Sequence, residues 1–105
     1  MASVTVSGKE YKLKTLGIGR RAKAAYLSGI IAEMSSVVFG ESKGRLDRET
    51  YAKAYEDLST AWADFVRLVI DGDAPELLEF DDLDATAMGE LTQGFFAAAG
   101  VKIDS

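Results

Sequence analysis

Read for its alternation of polar and apolar side chains, the chain begins with a period of two. Ser3-Val4-Thr5-Val6 and Tyr11-Lys12-Leu13-Lys14-Thr15-Leu16 each alternate, and Ser7-Gly8-Lys9-Glu10 between them supplies a glycine-containing turn. This pattern predicts a β-hairpin over 3–16. Val4 and Val6 share one face, where Tyr11 and Leu13 can meet them across the pair, while Lys9, Lys12 and Lys14 mark a solvated edge. Two strands alone are marginal in water, so the hairpin must pack on another element.

Beyond it the period changes to that of a helix. Tyr26, Leu27, Ile30, Ile31, Met34, Val37 and Val38 recur at three- and four-residue spacing opposite Arg21, Lys23, Ser28 and Glu33, predicting a helix over 20–39 that stops at Gly40. A polar loop, Glu41 to Arg45, follows. Asp47 is placed to cap the next helix, with Leu46 and Tyr51 as a hydrophobic staple, and Tyr51, Tyr55, Leu58, Trp62, Phe65 and Val69 form one seam along 47–71. Gly72 ends it. Pro75 suits the first position of a single short helical turn, and Asp84 caps a closing helix over 85–99, with Met88, Leu91, Phe95, Phe96 and Ala99 on its apolar side and Gly100 after it. Residues 101–105 are a tail. The expectation is a mostly α, α+β single domain over 1–105, three main helices carrying an N-terminal hairpin.

Composition narrows the chemistry. The 105 residues are 48% hydrophobic and 28% charged, too apolar for disorder, with no stretch of about 18 uncharged apolar residues and no N-terminal apolar run of a signal peptide. A soluble, non-exported protein is expected. Cysteine and histidine are absent, which removes thiol nucleophiles, thiolate zinc sites, disulfides, Ser-His-Asp triads and imidazole bases. Charge is divided along the chain: residues 1–55 carry ten Lys/Arg against five Asp/Glu, and residues 56–105 carry two against twelve. The net charge of −5 argues against general nucleic-acid binding and favours protein partners, or pairing of the two halves within one copy or between copies.

Four motifs invite chemistry, and each has a plainer reading. Gly17-Ile18-Gly19-Arg20-Arg21-Ala22 follows a strand and opens a helix, as in a dinucleotide-binding turn, but no second parallel strand follows, which leaves a strand-to-helix connection. The carboxylates of Asp71, Asp73, Asp81, Asp82 and Asp84 suggest calcium. An EF-hand loop starting at Asp71 needs an oxygen ligand at its fifth position and glycine at its sixth, where the chain has Pro75 and Glu76. Helix stop, caps and a solvated acidic loop account for them. The basic run Lys9, Lys12, Lys14, Arg20, Arg21 and Lys23 reads as an exposed face available to the acidic half or to a partner. The aromatic seam reads first as core, with Tyr55, Trp62 and Phe65 also suited to an interface.

The start Val4-Thr5-Val6-Ser7-Gly8-Lys9-Glu10-Tyr11-Lys12-Leu13, the acidic stretch, and the closing segment from Leu83-Asp84 to Ala97-Ala98-Ala99-Gly100 resemble tail assembly chaperones of long-tailed bacteriophages and prophages. The resemblance covers both ends of the chain and is one of layout. It implies a small, mostly helical, non-enzymatic protein without cofactor or metal. Such a protein binds the long tape measure protein and helps tail tube subunits assemble around it in the bacterial host cytoplasm, and is absent from the mature virion. It also implies that this chain is the short form of a product that translational frameshifting extends toward the tube protein.

Chaperoning an apolar partner requires an apolar surface bounded by charge. Expected partner-binding residues are Tyr55, Trp62, Phe65, Met88, Phe95 and Phe96, lining a groove between the second main helix and the closing helix with Glu56, Asp57, Asp64 and Glu90 among them. The groove would take helical segments of the tape measure protein or close on a second copy; nucleic acid and membrane are not expected partners. The alternative is a small helical adaptor or regulatory module, dimeric through the second main helix; a small nucleotide- or metal-dependent enzyme is the third reading.

Overall fold

The structure is a computed structural model that describes residues 3–39, 47–79, 83 and 85–99. Strands β1 (Ser3–Val6) and β2 (Lys9–Lys12) pair antiparallel, with Val4 opposite Tyr11 and Val6 opposite Lys9. The turn is tighter than the sequence suggests. Only Ser7 and Gly8 lie outside the strands, both at positive φ (51° and 82°), the backbone that two-residue hairpins with strand-matching twist require. Val4, Val6, Tyr11 and Leu13 are buried, as the alternation predicts.

Four helices follow among the described residues: α1 (Ile18–Val38), α2 (Arg48–Val69), α3 (Pro75–Leu78) and α4 (Ala85–Ala99). The mostly α architecture with an N-terminal hairpin is the one read from the sequence. Helix α1 starts two residues earlier than expected, with Gly17 at its N-cap, and ends at Val38, where the Phe39 N–H donates to the Ser35 carbonyl at 2.8 Å. Asp47 caps α2 as predicted, its Oδ1 accepting from the Thr50 N–H at 2.7 Å. That hydrogen bond holds the Asp47 carboxyl below its ordinary range. Pro75 opens α3 as predicted. The readings for Gly40, the 41–45 loop, Leu46, Asp81, Asp82, Asp84, the Ala99 side chain, Gly100 and the 101–105 tail lie outside the described residues.

The expected end of the second main helix at Asp71 is corrected: α2 ends at Val69. Ile70 is extended and bridges Leu13, with the Lys14 N–H donating to the Val69 carbonyl and the Asp71 N–H to the Lys12 carbonyl, each at 2.8 Å. The open edge of β2 takes these backbone groups, which shortens the helix and moors the hairpin to it.

One apolar core joins the elements. Leu58, Trp62, Phe65 and Val69 of α2 are fully buried and Tyr51 and Tyr55 half-buried. Phe65 meets Phe95 edge-on at 5.8 Å between centroids, and Phe95 meets Phe96 edge-on at 5.2 Å, the arrangement that ring quadrupoles favour. The Trp62 Nε1–H donates to the Leu77 carbonyl at 2.6 Å, so the indole joins α3 to α2 with its polar atom satisfied. Helix α4 lies on β1, and Gly94 is what allows it so close: a Cβ there would fall on Val4 Cγ2.

Candidate protein-binding groove

The expected groove between α2 and α4 is corrected. Trp62, Phe65, Met88, Phe95 and Phe96 are buried in the chain's own core, and only Tyr55 of the six expected partner-binding residues keeps partial exposure. The physical reason is the fit just described: α4 settles onto the hairpin at Gly94, and its two phenylalanines fill the space beside Phe65 that a partner would need.

The uncovered apolar surface lies on the other side of α2, against α1. Of the stripe predicted on α1, Leu27, Ile31 and Val38 are buried together with Ala24, whereas Ile30, Met34 and Val37 are half-buried and Tyr26 is 69% exposed. Two rows account for this. Leu27, Ile31 and Val38 run along the line that meets the core, and Tyr26, Ile30 and Met34, each four residues from the next, run along a neighbouring line that is covered only in part. The result is a groove of about 480 Å³ between the two helices. Its floor is Tyr26, Leu27, Ile30, Met34 and Ala61, and its rim is Glu33 from α1 with Glu56, Asp57, Thr60 and Asp64 from α2.

The rim is electrostatically one-sided. Among the described residues no basic side chain lines the groove, and none of its four carboxylates takes part in the ion pair found there, Lys9–Glu76. Lys53 lies three residues before Glu56 and Arg67 three residues after Asp64, so basic side chains occur on α2 outside the two ends of the acidic stretch. A further exposed apolar residue, Ile18 at 86%, stands at the start of α1 next to Arg20 and Arg21.

A second polar cluster joins the hairpin to α3. Glu76 Oε1 accepts from Lys9 Nζ at 2.6 Å and from the Tyr11 hydroxyl at 2.7 Å, and the Lys9 ammonium sits 5.3 Å from the centre of the Tyr11 ring. Lys9 and then Tyr11 hold the Glu76 carboxyl at about 2, and burial, with Glu76 beside it, pushes the Tyr11 phenol up to about 12. Neither group is poised for proton transfer near neutrality. The arrangement is a clasp between two elements. Near the hairpin exit a smaller cleft of about 210 Å³ gathers Lys14, Leu16, Arg21 and Phe95, with Gly17 ending the connection into α1.

Among the described residues no group of three or more carboxylates is placed to hold a metal ion, and no helix is long and apolar enough to cross a membrane. The groove itself was missed in the sequence because the α1 stripe, read as a single face, hides its two rows. The signal was present: Tyr26-Ile30-Met34 makes the stripe wider than one core contact uses, and Asp57, Asp64 and Glu56 recur at helical spacing on the neighbouring helix. No protein-family model matches the chain, and no curated protein or solved structure shows significant similarity to it.

Proposed function

We propose that this chain is a non-enzymatic protein-binding module that serves as a tail assembly chaperone of a long-tailed bacteriophage. In this reading it holds a helical segment of the tape measure protein in the α1–α2 groove while tail tube subunits assemble, working in the cytoplasm of the bacterial host and staying out of the finished virion. The observation that carries the reading is the row of exposed Tyr26 and half-buried Ile30 and Met34, bounded by four carboxylates. A chaperone for an aggregation-prone partner needs apolar surface to compete with self-association and charge around it to remain dispersed. The layout of the two chain ends supports the placement in phage tail assembly.

Co-expression with the tape measure protein of the same gene cluster tests the reading. Wild type is expected to co-purify with it, and Tyr26→Ser with Met34→Ser to lose it while the circular dichroism spectrum is retained. A gene neighbourhood without a very long tape-measure-like gene leaves the same groove to a helical adaptor and removes the phage assignment.

A further inference from the structure

We infer that the occupant of the α1–α2 groove is a cationic amphipathic helix, with its apolar stripe on Tyr26, Ile30 and Met34 and its Lys or Arg side chains against Glu33, Asp57 and Asp64. The inference rests on the proposed role of the groove as a docking site and adds the chemistry of what docks.

Shape comes first. Tyr26 to Met34 spans about 12 Å along α1 at the helical rise per residue, with an apolar side chain at each turn. A partner helix that repeats apolar residues at three- and four-residue spacing meets that row turn by turn, packing across two helices as a third. An added strand has nothing to pair with here, because the groove walls are helices whose backbone hydrogen bonds are made internally.

Charge comes second. Any occupant removes water from the rim, and a neutral one would leave four carboxylates partly desolvated without compensation. An anionic peptide, or the anionic face of a membrane, is repelled by the rim and by the chain's net charge of −5. Lys and Arg meet both demands, since their alkyl stems cover apolar floor while their charged ends reach the carboxylates. A second copy fits less well. Its exposed basic corner offers Ile18 as a lone apolar anchor in place of a stripe, and two copies of the same net charge oppose each other at long range.

The probe is a labelled helix-forming peptide of about 18 residues, about five turns, with leucine along one stripe and lysine beside it. It is titrated by fluorescence anisotropy at about 50 mM and about 300 mM salt, between which the screening length falls about 2.5-fold. Wild type is expected to bind it, more weakly at the higher salt, and to ignore the peptide in which glutamate replaces lysine. Glu33→Gln with Asp57→Asn and Asp64→Asn is expected to weaken binding by about tenfold or more. Asp71→Asn with Asp73→Asn and Glu79→Gln, which changes net charge equally at exposed sites outside the groove, is expected to change it less than about twofold. Circular dichroism is used to check that both triple variants fold. Equal weakening by the two triples overturns the inference, as does binding of the glutamate peptide. A dimer in light scattering that the rim triple dissociates also overturns it, by making a second copy the occupant. Peptide binding without capture of the tape measure protein refutes the phage reading and sustains this one; capture of the tape measure protein without peptide binding does the reverse.

Discussion

On the side of α2 that faces α4 and the hairpin, every large apolar side chain is matched. Trp62 and Phe65 are fully enclosed, Phe65, Phe95 and Phe96 lie within 6.5 Å of one another between ring centroids, and the indole N–H reaches the Leu77 carbonyl. On the side that faces α1, the partners are smaller and the fit is incomplete: Ala61 admits Leu27, but Tyr26, Ile30 and Met34 stand partly or largely in solvent beside carboxylates. The difference teaches where a small chain spends its aromatic residues. A domain of this length has one core and little surplus burial, so the rings, which hide the most area per side chain, belong inside it. The apolar surface left partly uncovered is built from the less conspicuous helix.

The comparison breaks if the closed side tolerates truncation. Trp62→Ala is expected to cost about 3–5 kcal/mol in urea unfolding, from lost packing and a cavity, with the Leu77 carbonyl deprived of its donor. A cost below about 1 kcal/mol would place Trp62 outside the core. Next in size is Gly94→Ala. Its new methyl meets Val4 and is expected to cost about 1–3 kcal/mol through overpacking. Val4→Ala in the same chain removes the Cγ2 it strikes, so a double-mutant cycle is expected to show coupling; additive losses would mean that α4 does not seat on β1 at that point.

The clasp between hairpin and α3 sharpens the comparison through pH. Glu76 lies at about 2 in the folded chain against an ordinary 4.5, so it stabilises the fold above pH 4.5, and that contribution disappears as pH falls toward 2. Tyr11 shifts the other way, to about 12 from 10.0, so its contribution is complete below pH 10 and is lost as pH rises toward 12. Glu76→Gln is expected to flatten the acid limb of unfolding midpoint against pH, and Tyr11→Phe the alkaline limb. Limbs that superimpose on wild type would show that Glu76 and Tyr11 do not hold the two elements together.

Much of the fold was legible in the sequence because its determinants are local. Period two gave the hairpin, Asp47 the start of α2, Pro75 the start of α3, and the 4, 3, 4, 3, 4 spacing of apolar residues the seam of α2. The end of α2 was not, because Ile70 leaves the helix for a pairing with Leu13, 57 positions away, that no local pattern announces. An apolar surface rimmed by acid lies on α1 and α2, where the sequence pattern places it between α2 and α4. An apolar surface rimmed by acid was expected, and Glu56, Asp57 and Asp64 were named among its residues, but the aromatic side chains were assigned to that surface. Hydrophobicity says that a residue seeks cover without saying which neighbour provides it. Gly94, whose missing side chain lets α4 close over the aromatic side, carries that information only once β1 is known to lie beneath it.

The smallest expected effect tests the open side most directly. Tyr26 is 69% exposed, makes no ring contact with the core aromatics among the described residues, and lies on the row of α1 beside that of Leu27 and Ile31. Little area is lost when it is truncated, and serine and tyrosine have about the same helix propensity. Tyr26→Ser is therefore expected to shift unfolding free energy by no more than about 0.5 kcal/mol, as exposed substitutions generally do. The measurement is repeated at low and high protein concentration. A loss of about 2 kcal/mol that grows with concentration would mean that another copy covers Tyr26 in solution, and the same loss at every concentration would mean that the chain's own residues cover it. Either result would close the groove and erase the contrast between the two sides of α2.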